Sequence, residues 1–512
     1  MLNKKDYYFI LLFFLIGILL RFPLVENFQS HWDGPDYSIA VVRYSLEQNT
    51  PTIPGYPLYI AMGYFFHFFT RDPHRALLMV NVLWSGIGAA VFYLVGKVMF
   101  NRVVGVSSAS IFLSGSTFYY FGLTPYPHLI LPITTALVGL LCYLTTFKKR
   151  KLGFLFGVIF AVTLGIRPQE FLFLSPLVLF GFLHLSHKEK LRMLCGFFLA
   201  FLLWFIPFLV VVGGLGKYTN LLLDGVKNGT KAVFVPKLRW EFIELIVKGF
   251  LLSLGVGALF LLFYAKKAWD ILKREKNIFR LFNKKTIFFL IWIVPSFLFN
   301  VFIVTVHAGY QMNYLSALIL LTSYGMWQVL KHNKYLLISA ITITVLINLT
   351  LFFYNRDPEY TNPYRPTSFH YTDIRANDMR LKAKINFVEN KFSPRDTIIL
   401  TTPTLWRPYM YYLKEYKLYE IDALATTTKA FIHTRRDGYQ WMKKEYQESR
   451  HLFTIPKGIH YAILLDDDTV FTIKNVKAKR YDLDGGSLIY VIPVHEDEVF
   501  SYGLRFLEKK PL

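Results

Sequence analysis

Apolar runs long enough to cross a bilayer recur along this chain, near residues 7–25, 76–99, 104–121, 127–147, 152–166, 171–186, 191–212, 244–264, 286–305, 311–330 and 335–354. A helix of about 20 apolar residues spans the hydrocarbon layer, and its backbone polar groups are satisfied inside the segment. The pattern predicts a polytopic α-helical membrane protein with about eleven transmembrane helices over residues 1–354. At 54% hydrophobic and 18% aromatic residues, the bilayer rather than one soluble core takes up the apolar side chains.

The formal net charge is +23. Lys and Arg fall in short clusters between the apolar runs, so they read as anchors at the cytoplasmic face and as contacts to membrane lipids, not as a nucleic-acid surface. The first run carries no small-residue cleavage site and is followed at once by Arg21-Phe22-Pro23, as in a retained signal anchor. Cys142 and Cys195 both lie in apolar runs, which leaves no disulfide framework to argue from. Placing Lys4 and Lys5 in the cytoplasm puts the basic loops at Arg102, Lys148–Lys151, Lys188–Arg192, Lys266–Lys285 and Lys331–Lys334 on the same side. The loops 26–75, 122–126, 167–170, 213–243 and 306–310 then face outward, with everything after Tyr354. The localisation expected is an integral, multi-pass plasma (inner) membrane protein whose working face is extracytoplasmic.

From about residue 355 the composition turns polar and the periodicity changes. Ala376–Asn390 and Trp406–Glu415 have helical spacing; Asp396–Thr402, His460–Leu465 and Ser487–Ile492 read as strands. Residues 355–512 are expected to form a small extracytoplasmic α/β domain. Asp466-Asp467-Asp468 reads as a solvated turn at a strand end. The sequon Asn228-Gly-Thr230 decides nothing.

Chemistry is concentrated in the outward segments. Asp33 and Asp36 stand just beyond the first span, where an acid needs a reason. Asp33 precedes Gly34-Pro35 and can serve as an N-cap. As a partly desolvated carboxylate it can equally act as a general base toward an acceptor hydroxyl or amine. Asp36–Gln48 has amphipathic spacing through Ile39, Val42 and Leu46, with Arg43 and Glu47 at i, i+4, and predicts one interfacial helix. Thr50–Tyr59, with Pro51, Pro54, Gly55 and Pro57, predicts an ordered irregular loop that includes Tyr56. Arg167, before the helix-breaking Pro168, offers a fork of donors suited to a phosphate, with snorkelling as the plainer role. The loop 213–243 adds Lys217, Lys227, Lys231, Lys237 and Arg239, an outward excess of positive charge that an anionic ligand would explain. His307 to Tyr314 forms a polar, aromatic turn between two late spans, where a histidine is more often structural than a ligand contact.

HWDGPDYSIAV followed by TIPGYPLYIAMG, then IRPQEFLFLSPL, then VHAGYQMNYLSAL, and weakly TTPTLWRPYMYYL in the tail, occur in an order that resembles the GT-C superfamily of integral membrane glycosyltransferases, in the branch of protein-mannosyltransferases and aminoarabinose transferases. The resemblance covers the membrane part. It implies a polyprenyl-phosphate-linked sugar donor, a lipid, protein or glycan acceptor, inverting transfer, and Asp33 as the catalytic base. Gly34 follows Asp33 and Asp36 comes three later, so the division of labour between the two acids stays open. Relatives carry His-Pro-Pro where this chain has Thr52-Ile53-Pro54, and no role passes to that position. On this reading Arg167 and Lys231 stabilise the departing phosphate, and Asp36, Tyr56, His307 and Tyr310 line the sugar and acceptor cleft. No cofactor is implied with certainty; metal dependence stays open, since two carboxylates hold a divalent ion as readily as they share a proton. The competing class is a transporter or lipid flippase without transferase activity, against which stand the absence of repeated halves and the gathering of polar residues at one face.

Overall fold

A computed structural model describes residues 2–29, 33–233, 240–275, 281–302, 308–354, 369–401, 406–421, 429–433, 435–436, 440–441, 445–448, 452–465, 472–474, 478–495 and 499–503. By internal contacts the chain divides into two units: residues 1–25, 40–357 and 365–372 in one, and 26–39, 358–364 and 373–512 in the other.

The first unit is a helical membrane bundle. Its opening helix, Lys4–Leu19, is set by a capping box in which the Asn3 side chain accepts from the Asp6 N–H and Asp6 accepts from the Asn3 N–H. The Asp6 carboxylate is buried and also accepts from Tyr93 Oη at 2.7 Å and Arg102 Nε at 3.0 Å, with Lys97 Nζ 3.8 Å away. An acid inside a membrane bundle is thereby paired with the basic residues that mark one end of the neighbouring helices. Small residues let helices close on one another. A Cβ on Gly17 would lie 2.7 Å from Gly86 Cα, and one on Gly96 would lie 2.8 Å from Gly105 Cα.

Among the described residues, seven segments are long and apolar enough to cross a membrane: Lys4–Leu24, Pro73–Met99, Pro127–Phe147, His187–Val212, Ile243–Glu275, Lys284–Phe302 and Lys334–Phe353. The expected count of about eleven is not confirmed by length and composition, for reasons that differ by segment. The run at 104–121 breaks at Gly115 into Arg102–Ser114 and Ser116–Leu123. Gly153–Ile166 and Glu170–Leu183, of 14 residues each, fall short of the 20 or so that a full crossing takes. Met312–Leu330 is long enough, but it is an interior helix whose buried face includes Asn313, Ser316, Thr322 and Ser323.

Two further expectations change. The amphipathic helix read over 36–48 is a helix only at Gly34–Val42; the chain then turns through Leu46–Gln48 to Asn49, at φ +56°. Glu47 pairs with Lys217 at 2.8 Å. The supposed loop 213–243 is largely the helix Leu215–Val233. Of the irregular loop expected over Thr50–Tyr59, the part before Pro57 is held by hydrogen bonds, with Ser45 and Thr50 bridged, Tyr44 Oη donating to the Gly55 carbonyl at 2.7 Å and Tyr218 Oη to that of Pro54 at 3.3 Å, whereas Pro57 opens the helix Pro57–Thr70.

The second unit is α/β. Its seven-stranded sheet runs Lys479–Leu483, Ser487–Pro493, Tyr461–Leu464, Thr397–Thr401, Lys417–Ile421, Lys429–His433, Glu445–Glu448. Thr397–Thr401 pairs in parallel with both its neighbours, Ile399 standing opposite Leu418 and Ile463; the other pairs are antiparallel. A central strand flanked in parallel is covered on both faces and reads as a continuous apolar run, which is why TIILT was recognisable as a strand. Ile399 packs with Leu381, Ile385 and Val388 of the helix Tyr371–Lys391 and with Tyr409 and Met410 of the helix Trp406–Tyr412. Ile398 and Leu400 face the other way, toward Ile455, Ile459 and Ile492. Ile39, from the helix after the first span, joins the first of these clusters. Asp466–Asp468 lie outside the described residues.

Candidate active site

The path from the first span to Asp33 is tied down by backbone hydrogen bonds. The N–H groups of Asn27 and Phe28 donate to Asp378 at 3.0 and 2.8 Å, and the Asn27 amide adds a third bond at 3.0 Å. Arg375 holds the same carboxylate at 2.7 Å. The Gln29 N–H donates to Tyr412 Oη at 2.8 Å, and Ser38 Oγ donates to Gln29 Oε1 at 2.8 Å. The segment is therefore a part of the α/β unit rather than a free loop.

Asp33 follows at the N-cap position, its carbonyl accepting from the Tyr37 N–H at 3.0 Å. Asp36 lies in the first turn, so both acids sit at the helix end that favours negative charge. Between them comes Arg407, from the helix Trp406–Tyr412. One guanidinium nitrogen is 3.3 Å from Asp33 Oδ1 and 2.5 Å from Asp36 Oδ2. The two acids differ in access: the Asp36 side chain is 2% exposed and that of Asp33 29%. Burial raises both carboxyl pKa values above the ordinary aspartate range and Arg407 opposes the rise, while the charge of Asp33 lifts Asp36 further. Chemically, Asp36 is the buried counter-ion that fixes Arg407, and Asp33 is the carboxylate a reactant can reach.

The membrane unit holds a second polar cluster. Arg167 ends the helix Gly153–Ile166 in an extended conformation, as a residue before proline must. Its side chain is 3% exposed, so it does not snorkel. Its guanidinium carbon lies 5.2 Å from the centre of the Tyr310 ring, and a nitrogen lies 3.7 Å from Glu170 Oε1. Tyr310 belongs to the tight turn Ala308–Gln311, which is pinned by Asn300 Nδ2 donating to the Tyr310 carbonyl at 3.0 Å and Gln311 Nε2 donating to that of Leu245 at 2.9 Å. The side chain of Asn313 stands beside the Glu170 carboxylate.

Of the residues picked from sequence, Asp33 and Asp36 thus share one arginine in the α/β unit, and Arg167 meets Tyr310 in the membrane unit. Tyr56, also in the membrane unit, is buried at φ +50° where the helix Pro57–Thr70 begins. Lys231 lies on the helix Leu215–Val233, with no side-chain placement described. His307 lies outside the described residues. Two charged neighbours of these residues are not among the candidates read from sequence. Arg407 stood in a tail segment noted only for its likeness, with no local signal tying it to Asp33, 374 positions away. Glu170 had a signal: an acid three residues past an arginine at an expected membrane boundary. Among the described residues no group of three or more His, Cys, Asp or Glu could hold a metal ion. A groove of about 680 Å³ in the membrane unit is lined by apolar surface, including Tyr44, Leu58, Tyr64, Trp204, Pro207 and Phe208.

No family model matches the sequence, and no curated protein matches it significantly. Solved structures do. ArnT from Cupriavidus metallidurans bound to undecaprenyl phosphate superposes with a TM-score of 0.57 at 10% identity, over 96% of this chain and 98% of that one. The apo state of the same protein gives 0.54 at 11% identity, over 95% and 98%. An Archaeoglobus fulgidus oligosaccharyltransferase in its apo form reaches only 0.46 at 12% identity, over 80% of this chain and 63% of its own. At such identities the likeness is one of fold: the chain shares the fold of ArnT.

Proposed function

We propose that this integral membrane protein transfers a sugar from a polyprenyl-phosphate carrier to an acceptor at the outer face of the membrane, with inversion and with Asp33 as general base. The observation that carries the reading is the unequal pair of acids: one buried and held by Arg407, the other tied to the same arginine yet accessible. An acceptor O–H or N–H would lose its proton to Asp33 as its heavy atom bonds to the anomeric carbon. The bond from that carbon to the phosphate oxygen breaks, and the carrier leaves as polyprenyl monophosphate. Departure builds charge on the phosphate oxygens, and a guanidinium aimed at such charge in a water-poor setting is a strong stabiliser. Arg167 is assigned that role, helped by Lys231; Tyr310 limits where its guanidinium can go.

Asp36 is assigned to position Arg407 and, through it, Asp33. Tyr56 and His307 are assigned to the sugar and acceptor cleft on the sequence resemblance. The apolar groove is where an isoprenoid chain would lie. Residues 26–75 would form the first outer loop and 355–512 an extracytoplasmic domain. Fold likeness to ArnT, whose structure holds undecaprenyl phosphate, supports the choice of carrier class.

The test is mass spectrometry of surface glycans from cells that lack the protein, carry it, or carry Asp33→Asn. A glycan mass that appears with the wild type and vanishes with a folded, membrane-inserted Asp33→Asn protein supports the assignment. The same glycan made by Asp33→Asn removes Asp33 from catalysis, and no glycan difference in any strain ends the transferase reading.

A further inference from the structure

Glu170 is fully buried, with the Asn313 side chain beside its carboxylate. Its ionic partner Arg167 stands at 3.7 Å, beyond hydrogen-bonding distance. A buried acid whose charged partner stands that far off is costly to keep if its work is only to stabilise the bundle. In its ionised form it sets a negative charge against one side of the guanidinium that, on the reading above, grips the carrier phosphate.

The carrier changes charge during turnover. As the sugar donor it is a phosphodiester with a single negative charge. As the product it is a monophosphate, which carries between one and two negative charges at neutral pH because its second pKa is about 6. An arginine alone would hold the more highly charged product more tightly than the donor and would retard its release. A carboxylate beside that arginine repels the product more than the donor.

We propose that Glu170 is a specificity-determining residue of the phosphate site, which weakens the grip of Arg167 on the polyprenyl monophosphate relative to the sugar-bearing diester and so speeds product release. This rests on the assignment of Arg167 to the carrier phosphate. Glu170 acts through Arg167 and takes no part in bond making. The short turn Arg167-Pro168-Gln169-Glu170, closed by the Glu170 N–H donating to the Arg167 carbonyl at 3.0 Å, keeps the two side chains together.

The experiment measures binding of undecaprenyl monophosphate and of its monomethyl ester, a diester of single charge, to the purified full-length protein. Glu170→Gln keeps the shape and removes the charge. It should tighten the monophosphate on the order of tenfold while the methyl ester changes much less, and Glu170→Asp should restore the wild-type ratio. Gln169→Glu, at a half-buried neighbouring position, adds a charge and should move the ratio the opposite way, which keeps the test open if Glu170→Gln does not fold. Loss of packing cannot tighten one ligand selectively. If Glu170→Gln shifts both lipids alike or weakens the monophosphate, or if Gln169→Glu leaves the ratio unmoved, the inference is overturned while the carrier assignment stands. If the wild type binds neither lipid, the carrier assignment falls and takes the inference with it.

Discussion

Each unit of the protein sets a buried arginine among acids, and the two arrangements differ in stoichiometry and reach. In the α/β unit two carboxylates share Arg407, with contacts of 2.5 and 3.3 Å, so acid is in excess. In the membrane unit one carboxylate faces Arg167 at 3.7 Å, and the aromatic face of Tyr310 lies on the guanidinium. An excess of acid around a captive cation leaves a carboxylate that can take a proton. A cation whose acid stands beyond hydrogen-bonding distance is, on the proposed reading, the one that meets an anion. On the proposed reading the same side-chain types, in different ratios, serve proton transfer in one place and phosphate binding in the other.

The sharpest way to break this contrast is at Asp33. Asp33→Asn should cut sugar transfer by roughly 10²- to 10⁴-fold, the usual worth of a general base, with donor binding little changed in a carrier-lipid binding assay. Next comes Arg407→Met, which removes a guanidinium that lowers the raised Asp33 pKa. Only ionised Asp33 accepts a proton, so transfer falls as pH drops through that pKa. The acid limb of the rate profile should lie above the ordinary aspartate range in the wild type and move to still higher pH in the variant, with Arg407→Lys moving it back. Unchanged profiles would dissociate Arg407 from the acids. Truncation of a buried ion-pair partner also costs stability, about 3–5 kcal/mol in comparable sites, and a thermal melt in detergent would register it.

Arg167→Ala should weaken carrier-lipid binding by roughly ten- to a hundredfold, in line with the 1.5–3 kcal/mol of a hydrogen bond to a charged group, and leave acceptor affinity alone. An unchanged carrier affinity would count against the phosphate role. A smaller loss is expected from Asp378→Ala, which strips three acceptor contacts from Asn27 and Phe28 and should lower stability by about 2 kcal/mol. The smallest effect is expected at the surface pair Glu47–Lys217, where Glu47→Gln should change the melt by less than about 1 kcal/mol.

Much of this molecule was legible in one dimension because its signals are local. Side-chain periodicity placed a strand at Asp396–Thr402 and a helix at Ala376–Asn390, and the structure has them at Thr397–Thr401 and Tyr371–Lys391. The broken geometry at Arg167-Pro168 followed from the sterics of proline. The two acids stood out because carboxylates beside a membrane span are costly. Where local signals competed with packing, packing prevailed: the helix after Asp33 stops at Val42 although its apolar spacing runs on to Leu46, and the run at 104–121 breaks at Gly115, where a Cβ would come within 2.5 Å of the Ser253 carbonyl.

By itself the sequence determined the solvent this protein folds in, the positions of most helices and strands, and the short list of charged groups that have to be accounted for. Tertiary structure alone decided which charges answer one another. Apolar periodicity is a property of neighbours along the chain, whereas the pairing of Arg407 with Asp33 and Asp36 requires the 26–39 segment to leave the first span and join the α/β unit. Nothing in either segment alone encodes that meeting. Desolvation makes it consequential: only a folded interior can leave one acid buried and its neighbour open.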